Sequence, residues 1–324
     1  MKVFVTRKIP EPGLNLLRNE LELEINPYDR LLTKEEIIKG LKGKDGLLCL
    51  LTDNIDKEII NSEPKLKMIA NYAVGFDNVD VKTATEKGIP VSNTPEVLTD
   101  ATSDMAWALL FSVARRMVEG DKLTRSGQFK GWSPMLMLGQ DISNKTLGII
   151  GAGRIGTAFA LKSKGFKMNI LYTDNNINKT LKSELDAKKV KLSTLLKESD
   201  FISLHVTLSK TTYHMISEKE LKIMKKNAIL INTSRGPVID EQALIKALKE
   251  KWIFGAGLDV YEHEPKISKQ LIKLQNIVLQ PHSASATLET RTNMAVIAAK
   301  NLIAGLKGEI PPNCVNTEVF KSDS

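Results

Sequence analysis

The sequence predicts an α/β protein with two doubly wound, parallel-sheet domains. Short runs rich in Ile, Val and Leu alternate with stretches whose leucines recur at helical spacing. That is the pattern of strands buried on both faces and covered by helices. The pattern restarts after Gly131, so two such units are read, the second beginning near Asp100. A length of 324 residues also suits two domains at roughly 150 residues each.

The first unit opens with a strand at residues 3–6. Pro10-Glu11-Pro12-Gly13 breaks it, and Leu14, Leu17 and Leu21 mark a helix. Residues 46–51 and 68–72 are apolar runs between turn signals, hence buried strands. Gly88-Ile89-Pro90-Val91 leads into one more. Asp100 is the expected N-cap of a long helix carrying Met105, Trp107, Leu109, Leu110 and Val113. Strands then follow at 146–150, 169–172, 201–206, 228–232, 255–260 and 277–279. Helices are expected at 154–164, 193–198, 217–224 and 241–250, with a long final helix from about 286 to 306.

Composition narrows the function classes. Apolar residues make up 42% and charged residues 26%, as in ordinary soluble proteins. The longest apolar stretch, 106–114, is too short to span a bilayer and runs into Arg115 and Arg116. Arg7 and Lys8 interrupt any secretory segment, so no membrane partner is expected. Cys49 and Cys314 make neither a disulfide framework nor a metal site, which points to a reducing, cytoplasmic setting. The net charge of +8 comes from 37 Lys and only 9 Arg, with 5% aromatics. Lys188-Lys189 and Lys225-Lys226 fall in expected helix ends or loops, so a solvated lysine surface is read, not a nucleic-acid face. A positive field would still help a small anionic substrate and an anionic cofactor.

Gly151-Ala152-Gly153-Arg154-Ile155-Gly156 fits GxGxxG, follows an expected strand and opens an expected helix. In that context it is a dinucleotide-binding fingerprint. Gly151 permits the tight turn, Gly153 lets backbone approach a pyrophosphate, and Gly156 lets helix and strand pack closely. The helix N-terminus offers N–H groups to the phosphates. Asp174 stands eighteen residues beyond Gly156, where a carboxylate receives ribose hydroxyls and repels a 2′-phosphate. Asn175, Asn176 and Ile177 supply no arginine for such a phosphate. NAD(H) is therefore the preferred cofactor, with NADP(H) as the lesser alternative. Asp174 also reads as a turn-starting residue.

Arg235, in Asn232-Thr233-Ser234-Arg235-Gly236-Pro237, directly follows a buried strand, on the edge where open parallel sheets bind ligands. A guanidinium there can grip a carboxylate; taken alone, a helix-flanking surface charge is the commoner role. Four histidines exist. His282 ends the last strand on that same edge. His205 sits late in a buried strand, suited to lining the cofactor, and His214 and His263 lie in polar stretches. Glu264 follows the strand ending in Leu258-Asp259-Val260 and could orient an imidazole.

Several stretches, in order, resemble the D-isomer-specific 2-hydroxyacid dehydrogenase family, in particular its archaeal glyoxylate reductases and the related hydroxypyruvate reductases. They are Asn71-Tyr72-Ala73-Val74-Gly75-Phe76-Asp77-Asn78, Asn93-Thr94-Pro95-Glu96-Val97-Leu98-Thr99-Asp100-Ala101-Thr102, the glycine loop, Thr233-Ser234-Arg235-Gly236, Gly257-Leu258-Asp259-Val260, Glu264-Pro265 and Pro281-His282. The resemblance covers essentially the whole chain. It implies two Rossmann/flavodoxin-like domains, with a cofactor domain at residues 100–284 inserted into a substrate domain made of 1–99 and 285–324, the active site between them, and a homodimer. It implies reduction of glyoxylate and hydroxypyruvate, with Arg235 on the carboxylate and His282 as the general acid oriented by Glu264. Substrate contacts are implied at Val74, Gly75, Leu50 and Arg235. Cofactor contacts are implied at the glycine loop, Asp174, Asn175, His205, Thr207, Thr233, Ser234, Arg235, Asp259 (to the nicotinamide amide), His282, Ser283 and Ala284. The chain departs from the family at Thr207, where many relatives have Pro, and at Leu136, where relatives often have an aromatic. A smaller residue there would admit larger or less polar 2-oxo acids. The alternatives are a D-lactate or 3-phosphoglycerate dehydrogenase, although residues 50–54 hold no cation for a phosphate, and an NAD-sensing corepressor or scaffold on the same fold.

Overall fold

The computed structural model describes residues 1–321, so residues 322–324 of the expected substrate domain lie outside the described residues. The chain divides into two compact units, residues 1–98 with 285 onward, and residues 99–284.

The first unit holds a five-stranded parallel sheet in the order β2-β1-β3-β4-β5. Its strands are β1 (Lys2–Val5), β2 (Glu22–Ile25), β3 (Gly46–Leu50), β4 (Met68–Tyr72) and β5 (Val91–Ser92). The pleat sends alternate side chains to opposite faces. Val3 and Val5 join one core with Leu14, Leu17, Met294, Ala298 and Leu302. Phe4 and Leu47 join the other with Ile37, Leu41, Ile59 and Ile60. The C-terminal helix Leu288–Leu306 thereby completes the N-terminal unit. It packs so closely on helix Glu11–Glu20 that a Cβ on Gly13 would lie 2.6 Å from the Ala295 carbonyl oxygen. Four elements of this unit are absent from the sequence expectations: edge strand β2 and the helices Lys34–Leu41, Lys57–Asn61 and Val81–Glu86, the first of these helices opened by a capping box from Thr33 and Glu36.

The second unit is a seven-stranded parallel sheet in the order β12-β11-β10-β9-β6-β7-β8. The strands are β6 (Thr146–Ile150), β7 (Asn169–Thr173), β8 (Lys188–Lys189), β9 (Phe201–Leu204), β10 (Ile229–Asn232), β11 (Gly255–Leu258) and β12 (Ile277–Leu279). The chain reverses its direction of travel between β6 and β9, the crevice where doubly wound sheets take ligands. Ile149, Phe201 and Ile231 face helix Thr99–Ala114 through Trp107, Leu109 and Leu110. Ile150, Ile202 and Leu230 face the opposite core, with Leu195, Leu221 and Leu244.

Some boundaries differ from expectation. Asp100 is not an N-cap: the helix starts at Thr99, and Asp100 lies in its first turn, its carboxylate 3.1 Å from Lys162 Nζ. The helix expected at 154–164 ends at Leu161 and continues as a 3₁₀ turn, Lys162–Phe166. Lys188-Lys189 is not a loop but edge strand β8, paired with Leu171 and Tyr172; charged edge residues of this kind discourage further strand pairing. Strand β9 ends at Leu204, one residue before His205. No helix of the described residues is long and apolar enough to cross a membrane.

Candidate active site

The glycine loop joins β6 to helix Arg154–Leu161. Gly151 has φ +92°, a left-handed conformation, and a Cβ there would fall 2.8 Å from the carbonyl carbon of His205. A Cβ on Gly156 would fall 2.1 Å from Gly151 O, whereas one on Gly153 would meet nothing within 4 Å. Backbone at Gly153 therefore borders open space, as the approach of a pyrophosphate requires. Gly153 is also the N-cap, and no side chain caps the helix, which leaves that end suited to an anion.

Asp174 follows β7. Its carboxylate accepts hydrogen bonds from the N–H groups of Ala152 (2.8 Å) and Asn176 (3.1 Å). It thus shapes its own turn and ties it to the glycine loop. Lys189 Nζ donates to Asn175 O at 2.8 Å, bringing a cation to the same turn. Asn178, which the sequence reading passed over, donates to Ala152 O (2.9 Å) and Thr157 Oγ1 (2.7 Å). An Asn at a helix N-cap was its only sequence signal.

His205 N–H donates to Ile150 O, and its ring pairs with Ser203 Oγ at 2.9 Å and lies against Phe159. Thr207 is exposed, and its carbonyl accepts from Thr212 Oγ1. After β10, Asn232 organises the next turn. Its amide donates to Arg235 O (2.9 Å), and its Oδ1 accepts from the N–H and the hydroxyl of Ser234. Thr233 Oγ1 is buried with no partner, an orphaned polar atom on the edge where a cofactor would lie. Together with open Gly153 and the uncapped helix, it fits a bound dinucleotide. Arg235 is half-buried. A Cβ on Gly236 would overlap the Tyr261 carbonyl, so the Arg235 turn is pressed against the backbone that leads to Glu264.

His282 Nδ1 and Glu264 Oε2 are 2.7 Å apart. His282 has φ +54°, an uncommon backbone for a non-glycine residue and of the kind that clusters at functional sites. Partial burial pushes the Glu264 carboxyl up. The hydrogen bond and charge of His282, the Tyr261 N–H and the Arg235 charge outweigh it, so the net shift is down. Glu264 therefore stays ionised beside the imidazole. Asp259 has no exposed surface. Its two oxygens accept from Ser283 N (2.7 Å) and Ala284 N (2.8 Å), so in this structure it anchors the loop that carries His282. Burial pushes its carboxyl up.

In the first unit, Leu50 ends β3 and its N–H donates to Asp53. Val74 and Gly75 lie just past β4, their carbonyls held by the side-chain amides of Asn93 (2.7 Å) and Asn71 (2.9 Å). The N–H groups of Val74 and Gly75 make no hydrogen bond among the described residues. A groove of about 690 Å³ in the second unit, lined by Val113, Leu138, Lys251 and Ile277 among others, lies beside residues that precede β11 and β12 and contains none of the site residues above. Among the described residues no group of three or more His, Cys, Asp or Glu could hold a metal.

Burial pushes the His205 ring down to about 3, against about 6.5 in an unfolded chain. Between those values the unfolded chain binds a proton that the folded one does not, so this residue makes stability fall as pH drops through that window. In an NMR titration the His205 ring resonances should stay fixed from about pH 8 to about pH 4; a midpoint near 6.5 would show a solvated ring.

Residues 107–284 match the NAD-binding domain of the D-isomer specific 2-hydroxyacid dehydrogenases. The chain is 55% identical to the glyoxylate reductase of Thermococcus litoralis over 99% of its own length and 98% of that protein's. Among solved structures, the TT0316 protein of Thermus thermophilus superimposes with a TM-score of 0.92 at 43% identity, covering 97% of this chain and 100% of that one. The NADPH-dependent glyoxylate/hydroxypyruvate reductase of Sinorhizobium meliloti, solved with NADP and malonate, gives 0.87 at 28% identity, covering 100% and 99%. Two parallel α/β sheets, a glycine loop at the reversal point of the second, and matches that run the length of the chain make one assignment: this chain belongs to the D-isomer-specific 2-hydroxyacid dehydrogenase family and is an NAD-binding oxidoreductase.

Proposed function

We propose that the enzyme reduces glyoxylate to glycolate, and hydroxypyruvate to D-glycerate, with NADH as the preferred reductant. The observation that carries this reading is the 2.7 Å pairing of His282 Nδ1 with ionised Glu264, on the sheet edge that also bears the glycine loop and Arg235. A nicotinamide cofactor, when bound, would supply the hydride that C2 of the 2-oxo acid receives. Arg235 grips the carboxylate, in the two-pronged geometry a guanidinium suits, and polarises the 2-oxo group. His282, with Nδ1 held by Glu264, gives the proton on Nε2 to the carbonyl oxygen as C2 gains the hydride. Glu264, 2.7 Å from Nδ1, fixes the orientation of the ring. A general acid so placed contributes about 10²–10⁴-fold. We assign Val74, Gly75 and Leu50 to substrate contact on the family resemblance and, for the first two, on their unpaired N–H groups.

The cofactor would be held by the loop 151–156, by Asp174 with Asn175, by the 205–207 and 233–235 segments, and by 282–284. Asp174 opposes a 2′-phosphate, while Lys189 stands at the same turn. NADPH is therefore accepted less well rather than excluded. We assign a homodimer to the apolar side chains exposed on residues 129–138, where Trp132 is 84% exposed and Met135 74%; large exposed apolar patches commonly mark interfaces. Sedimentation at the monomer mass would overturn that assignment. The two free cysteines suit the reducing cytoplasm.

One assay panel tests these roles. NADH and NADPH oxidation are followed with glyoxylate, hydroxypyruvate, pyruvate and 3-phosphohydroxypyruvate. Glyoxylate or hydroxypyruvate should be turned over fastest; no turnover with NADH still bound would favour a cofactor-sensing protein. Arg235→Ala should lower kcat/KM by about 10²-fold or more, as loss of a charged partner does, with NADH binding nearly intact. Lost NADH binding would move Arg235 to the cofactor. Asp174→Asn keeps an acceptor for Ala152 N–H but removes the charge, and should narrow the NADH-to-NADPH ratio. An unchanged ratio would leave Asp174 only its turn.

A further inference from the structure

His214 and Glu262 have no part in the reaction just described, yet they form a second histidine–carboxylate pair, whose Glu262 stands two residues before Glu264. His214 Nε2 lies 2.7 Å from Glu262 Oε1. The other oxygen, Oε2, accepts the Glu241 N–H at 2.9 Å, at the start of helix Glu241–Lys249. The Glu262 N–H reaches back to Glu241 Oε2 at 3.4 Å. The Glu262 side chain is only 10% exposed, so its oxygens rely on these partners for hydrogen bonds. His214 has φ +48°, its ring stacks on Tyr213 at 4.0 Å, and its N–H donates to Pro237 O at 2.8 Å. Glu262 thus ties three segments together: the 213–216 loop, the start of the helix at 241, and the Tyr261–Glu264 loop. Two of these flank the Arg235 turn, which itself touches Tyr261 and Glu262 through Gly236. Asp240, Glu241 and Glu262 gather three carboxyls at one helix start, where free N–H groups and the dipole favour negative charge. Burial, with the neighbouring Glu262 charge, pushes the Glu241 carboxyl up.

We propose that His214 and Glu262 are positioning residues: a clasp that fixes the Arg235 turn relative to the Glu264 loop and so aligns carboxylate binding with the His282–Glu264 pair. The inference rests on the catalytic roles proposed above. A displacement of about 1 Å at such distance from the chemistry can cost up to ~10²-fold in rate.

The test compares the intact parent chain with Glu262→Ala, Glu262→Gln, His214→Ala and the double alanine variant, each shown to be folded by thermal unfolding. Glu262→Ala should lower kcat with glyoxylate about tenfold or more while KM for NADH stays within about twofold. Glu262→Gln, whose amide can serve both partners, should recover to within about threefold. The double variant should be no worse than Glu262→Ala, as for residues acting as a unit. A second readout needs no substrate: the hydrogen-bonded imidazole N–H proton of His282 in proton NMR should shift or broaden in Glu262→Ala. That signal separates a failed clasp from a wrong substrate, which would show as a parent inactive on 2-oxo acids. A folded Glu262→Ala with the parent kcat and the parent His282 signal overturns the proposal. Should Glu262→Ala not fold, His214→Ala with parent values on both readouts overturns it equally.

Discussion

The carboxylate of Asp259 lies at the end of β11 with no exposed surface, and the N–H groups of Ser283 and Ala284 satisfy its two oxygens. An unpartnered buried carboxylate would cost several kcal/mol, so the chain leaving β12 must fold back onto it. That closure leaves His282 at φ +54° and within 2.7 Å of Glu264. The strained residue, the pair and the loop that carries them are consequences of one buried charge. Tyr261 adds a second tie between the same strands, its hydroxyl donating to Gln280 O at 2.7 Å.

Close backbone approach is the other constraint. Gly151 sits against His205, Gly156 against Gly151, and Gly236 against Tyr261. Each contact removes the room a Cβ would need, and each lies at the C-terminal end of a strand in the second unit. These close approaches bring segments far apart in sequence together at the strand ends. Gly153 is the exception in the loop: a Cβ there would meet nothing within 4 Å, so packing does not require a glycine at that position.

The parts of this arrangement legible in the sequence are those with a periodic or spaced signal. Continuous apolar runs announced β1, β3, β4, β6, β7, β10 and β12, because strands buried on both faces need apolar residues throughout. The glycine loop announced itself through the strand before it and the helix after it. Strand β2 did not, since Glu22-Leu23-Glu24-Ile25 is a four-residue edge with only two apolar positions, and β8 is a pair of lysines whose strand character comes wholly from pairing with β7. Asn178, Asn232 and Glu262 were also silent. Each acts by one polar side chain bonding backbone or a distant ring, and such contacts leave no periodicity. Asp259 was legible as a residue beside the site, but its two bonds to the 283–284 backbone became visible only in the fold.

In the proposed reaction His282, paired with Glu264, is the group that gives and takes the proton. Its most direct test is the pH dependence of both reaction directions in the same chain, 2-oxo acid reduction with NADH and 2-hydroxy acid oxidation with NAD. With His282 in that role the two profiles mirror each other, reduction declining and oxidation climbing as pH rises, and Glu264→Gln alters both directions together. Profiles that are flat, or that move together with pH, would contradict it.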